Sequence, residues 1–112
     1  MNLESEVTNS LTDFLDAWKA KDMQVMLEHC QLTWATRTNN KLEWLAALVE
    51  AVPITKYRII SIEKVSEVFV RATAEINGNK RTTICLVKES VPYKTSKTGQ
   101  WGINPISALR FE

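Results

Sequence analysis

The chain has 112 residues, of which 45% are hydrophobic and 24% charged. A domain-sized chain of that make-up can bury its own core, which excludes a disordered, collagen-like or disulfide-stapled miniature protein. Fourteen Lys and Arg against 13 Asp and Glu leave a net charge of +1, so no global field draws the molecule onto nucleic acid or acidic lipid.

Helical patterning opens the chain. Val7, Leu11, Phe14, Leu15 and Trp18 recur at three- and four-residue spacing and stack on one face of a first helix. Lys19-Ala20-Lys21-Asp22 reads as a break, with basic residues suited to a helix end and Asp22 as N-cap of the next helix. Met26, Leu27, Cys30 and Trp34 give a second apolar stripe, and Arg37-Thr38-Asn39-Asn40 a loop. Asn40 followed by Glu43 resembles a capping box. Leu42, Leu45, Leu48, Val49 and Val52 supply a third apolar face, and Pro53 ends it because the residue before proline disfavours the helical region.

The second half reads as strands. Ile54 to Val65 is rich in β-branched residues. From Glu67 to Ile76, Val68, Val70, Ala72, Ala74 and Ile76 alternate with mostly polar neighbours, which turns one apolar face inward. Asn77-Gly78 then predicts a type I′ hairpin turn into Lys80 to Glu89. Ser96-Lys97-Thr98-Gly99 reads as a turn before a last strand from Trp101 to Phe111, in which Pro105 implies an edge or a bulge. Helices grouped before antiparallel strands predict one α+β domain over residues 1–112, with three helices packed on one face of a curved sheet of about four strands.

This order, together with Asp16-Ala17-Trp18-Lys19-Ala20-Lys21-Asp22 leading into Met23 to Cys30, resembles the nuclear transport factor 2-like superfamily. The closing Trp101-Gly102-Ile103-Asn104-Pro105-Ile106-Ser107 is similar to the last strand of small bacterial members without an assigned activity. The resemblance implies a cone of helices over a strongly bent sheet, a mouth that can hold a small molecule, and a homodimer through the sheet face.

The chemistry is sparse. Isomerases, dehydratases and epoxide hydrolases of that superfamily place Asp, His, Tyr or Arg inside the cone, and proton transfer needs a positioned base. Here Asp13, Asp16 and Asp22 all precede the strands, and the strand carboxylates are Glu63, Glu67, Glu75 and Glu89. A strand Asp facing a Tyr donor is therefore not found. Cys30 and Cys85 read as reduced, apolar-packed thiols, and one His with two Cys cannot fill a structural zinc site, so no metal or cofactor is expected. The three glycines form no phosphate loop. Residues 1–56 carry 5 basic and 8 acidic side chains, and residues 57–112 carry 9 and 5.

The leading expectation is a cytoplasmic, dimeric, non-enzymatic binding or assembly module with a protein partner. The first residues lack the basic start and apolar run of a secretory signal, and no segment approaches the roughly 18 apolar residues of a membrane span. The alternative is a small enzyme or carrier for an apolar metabolite. Its pocket would be lined by Trp18, Met26, His29, Trp34 and Trp101, with Tyr57 or Tyr93 as phenolic donors, while Trp44 is expected at a pocket mouth or interface. A third reading sets Lys80, Arg81, Lys94 and Lys97 against an acidic surface. Nucleic acid binding is not expected, since no aromatic residues interleave with the basic ones.

Overall fold

The computed structural model describes residues 3–109. Helix α1 (Leu3–Ala20) buries the whole expected stripe: Val7, Leu11, Phe14, Leu15 and Trp18 are fully enclosed. Its end is a Schellman closure, in which Lys21 N donates to Trp18 O at 3.0 Å and Asp22 N to Ala17 O at 2.9 Å. That closure needs a left-handed residue, and Lys21 takes it at φ 61°. Asp22 then caps α2 (Met23–Glu28) as expected, its carboxylate accepting from Val25 N at 3.2 Å.

The second expected helix is two helices. After α2 the chain runs extended and restarts as α3 (Leu32–Arg37). The break is caused by the sheet. Cys30 forms a parallel bridge with Ile103, Ile103 N donates to His29 O at 2.9 Å, and Gln31 N donates to Ile103 O at 2.8 Å. These bonds take the backbone groups a continuous helix would have used. Gly102 permits the approach, because a Cβ there would lie 2.5 Å from Gln31 Cα. Helix α4 (Lys41–Ala51) follows. Asn40 precedes it in the left-handed region at φ 54°, with no side-chain cap, so the capping box does not form; a cap needs extended backbone there.

Strands β1 (Tyr57–Ser66), β2 (Phe69–Ile76) and β3 (Lys80–Val91) form an antiparallel meander. Asn77 and Gly78 turn the β2–β3 hairpin with φ of 57° and 77°, the two positive values a type I′ turn requires. The outer strand beside β3 is interrupted: β4 (Lys94–Thr95) and β5 (Gln100–Asn104) both pair with it, and Glu89 is the partner of Thr95 and of Gln100. Residues 96–99 loop out between them. The last strand is thus shorter than the expected Trp101 to Phe111. It stops at Asn104 before Pro105, and a short 3-10 helix, Ser107–Leu109, packs on β3. Residues 110–112, the end of that expected strand, lie outside the described residues.

The result is α+β, with four helices and a five-stranded antiparallel sheet among the described residues. Register shifts in β1, at Ile59/Ser61 and Lys64/Ser66, bend its edge. The inner sheet face presents Val70, Ala72, Ala74, Ile76, Ile84, Leu86 and Ile103 to the helices, all at 0% exposure. No described helix is long and apolar enough to cross a membrane.

Candidate functional site

The five residues expected to line a pocket part into two groups. Trp18, Met26 and Trp34 are packing residues of the core, exposed by 1% or less. The Trp18 Nε1 donates to Val52 O at 2.8 Å, tying α1 to the end of α4, and Trp34 meets Trp44 edge-on with centroids 5.4 Å apart. Trp44 is half-buried beside a shallow apolar groove with Ala47, Leu48 and Ala51. His29 and Trp101, in contrast, meet in one open cleft of about 370 Å³, lined also by Glu6, Ser10, Glu28, Lys88 and Gln100.

Three elements build this cleft. Helix α1 contributes the flank beside its buried stripe, the end of α2 brings Glu28 and His29, and the β3–β5 pairing sets Lys88 opposite Trp101. The Lys88 side chain is only 15% exposed; its ammonium lies 5.6 Å from the Trp101 ring centroid and 3.5 Å from a Glu6 oxygen. Trp101 is 6% exposed, and its buried Nε1 finds no acceptor among the described residues. His29 Nε2 stands 4.0 Å from Asp13 Oδ2. The opposite flank of α1 reaches Tyr57, whose hydroxyl donates to Asp16 Oδ1 at 2.5 Å. Burial and the Asp16 hydrogen bond push the Tyr57 phenol up to about 12. Tyr93 is 67% exposed, outside the cleft. No group of His, Cys, Asp and Glu able to hold a metal occurs among the described residues.

One acid is buried that sequence reasoning did not foresee. Glu89 is 3% exposed, under helix α3, and its two oxygens accept from the N–H of Thr33 at 3.1 Å and from the Thr33 hydroxyl. Thr33 Oγ1 also accepts from Tyr93 N at 2.7 Å. Glu89 therefore closes the first turn of α3 and ties it to the β3–β4 turn. It faces neither a tyrosine hydroxyl nor His29. No local pattern announces it, since Thr33 is 56 residues away.

The outer sheet face is arranged in cross-strand rows: Arg58, Glu75 and Arg81; Ser61, Thr73 and Thr83; Glu63, Arg71 and Cys85; Ser66, Phe69 and Val87. Arg58 pairs with Glu75 at 3.3 Å and Arg71 with Glu63 at 3.2 Å. The basic residues of the third reading are spread apart. Lys80 and Arg81 open β3, while Lys94 pairs with Val91 at its far end, about 30 Å away at strand rise. Lys97 is engaged by Glu67 at 2.6 Å, a contact that lowers the Glu67 carboxyl and raises the Lys97 ammonium.

No family model matches the sequence, and the search of curated proteins found no match. Among solved structures, the chain is similar to a ketosteroid isomerase-like protein from Erwinia carotovora atroseptica SCRI1043. The likeness covers 99% of this chain and 95% of that one, with a TM-score of 0.59 and 14% identity. A likeness at that identity establishes architecture: the chain has the nuclear transport factor 2-like fold. That fold serves both isomerases and non-enzymatic binding proteins, so function has to be argued from the residues.

Proposed function

We propose that the protein is a non-enzymatic assembly module that pairs with a second copy of itself through the outer face of its sheet. The observation that carries this is the charge pattern of that face. A copy turned about an axis along the Ser61–Thr73–Thr83 row lays Arg58 over the partner's Glu63 and Glu75 over the partner's Arg71, while the hydroxyl row meets itself. Such self-complementarity is what a twofold interface requires. The case against catalysis in the core rests on the inner face. Its fully enclosed strand residues are apolar apart from Thr82, whose hydroxyl is taken up by Ser107 O and Ala108 O; the polar groups of Tyr57, held by Asp16, and of Lys64, Lys80 and Lys88 lie at its edges. A carrier for an apolar metabolite would need room among Trp18, Met26 and Trp34, all of them tightly enclosed.

Sedimentation velocity tests the assembly. The wild-type chain should run as a dimer, and Glu75→Arg should dissociate it by placing like charges across the axis. Adding Arg71→Glu to that variant should restore the dimer. A monomeric wild type, or a Glu75→Arg variant that stays dimeric, refutes the reading.

A further inference from the structure

We propose that the cleft between α1, the end of α2 and the β3–β5 pair binds a small zwitterion of amino-acid or dipeptide size, carboxylate towards Lys88 and Trp101 and ammonium towards Glu6 and Glu28. Its volume of about 370 Å³ falls in the range of small-molecule sites. One of its lining residues is Trp101, whose Nε1 is a buried donor without an acceptor among the described residues. Buried indole N–H groups are normally satisfied, as the Trp18 Nε1 is here by Val52 O. The described residues supply no partner, and an acceptor arriving in the cleft that Trp101 lines would provide it.

The surrounding charges define the rest of the ligand. Lys88, lying over the same ring, is the natural second donor to a carboxylate that accepts from the indole. Two carboxylates, Glu6 and Glu28, line the cleft with it. A bare anion would meet both of them, and a bare cation would leave the indole unsatisfied. A molecule carrying both charges matches both ends. Binding exchanges Glu6 for the ligand carboxylate on Lys88, and the flexible Lys88 side chain moves to uncover the indole N–H. The site shares no residue with the proposed dimer face.

The test is the indole N–H region of the nuclear magnetic resonance spectrum of ¹⁵N-labelled full-length protein, with the Trp101 signal identified by its loss in Trp101→Phe. The twenty protein amino acids and glycylglycine are added one at a time, alongside sodium acetate and methylammonium chloride at equal concentration. At least one zwitterion should move the Trp101 signal and leave that of Trp18 in place, and neither simple ion should do so. Lys88→Gln and Glu28→Gln should each weaken that zwitterion about tenfold, the loss of one charged hydrogen bond. Glu28 is exposed, so its substitution leaves the fold intact. No shift with any zwitterion, an equal shift with acetate, or unchanged affinity in Glu28→Gln overturns the proposal.

Discussion

Lys21 is the clearest case of a residue working against its own backbone. It holds the left-handed position at the end of α1 at φ 61°, where a side chain bearing Cβ is disfavoured and glycine is not. Lys21→Gly should therefore raise stability by about 0.5–1 kcal/mol, read as a later urea midpoint at unchanged slope. Thr33 has the opposite character, serving Glu89 and Tyr93 N at once. Thr33→Ala should cost about 2 kcal/mol, because it leaves a buried carboxylate short of a donor, whereas Thr33→Ser should recover most of the loss. Tyr57 gives a pH signature. Its folded pKa of about 12 exceeds the ordinary 10.0. The unfolded chain thus loses that proton first, and the associated stability is intact below pH 10 and lost between about 10 and 12. Tyr57→Phe should flatten that part of the stability–pH curve, and an unaltered slope in the variant would refute the linkage.

Among the elements, the α2–α3 connector depends on a missing side chain. Gly102→Ala places a Cβ within 2.5 Å of the Gln31 backbone. It should cost about 2–3 kcal/mol and speed hydrogen exchange at Gln31 and Ile103, the two amides that join connector to sheet. The β2–β3 turn shows a residue chosen twice. Asn77 supplies the positive φ, and its side chain accepts from Thr55 N at 2.8 Å and donates to Pro53 O at 2.9 Å, fastening the segment between α4 and β1. The dipeptide Asn-Gly made the turn legible in the sequence. Nothing local revealed the second duty, because its partners lie more than 20 residues away. The same holds for the broken second helix: Met26, Cys30 and Trp34 keep helical spacing across the break, and the sheet edge that interrupts them, at Ile103, comes 73 residues after Cys30.

At the scale of the molecule, the two thiols report on different events. Cys30 is buried, donates to Met26 O at 3.3 Å, and burial pushes its thiol up to about 12. Cys85 lies half-buried on the outer face. With a thiol reagent at pH 8, Cys30 should react only as fast as the protein unfolds globally. Cys85 should react faster on dilution, as the proposed dimer comes apart. Dilution without effect on Cys85 would count against that dimer.

The chain alone determined what depends on near neighbours. The stripe on α1, the Asp22 cap, the alternation of β2 and the hairpin turn are written in spacings of two to four residues, and with them came the α+β class and the superfamily resemblance. Contacts between distant segments were decided only by the tertiary structure. Folding sent Trp18, Met26 and Trp34 into the core, brought His29 and Trp101 to one cleft with Lys88, and buried Glu89 against Thr33. Periodicity states which side of an element avoids water, but which two elements then meet depends on how all of them close around a shared interior.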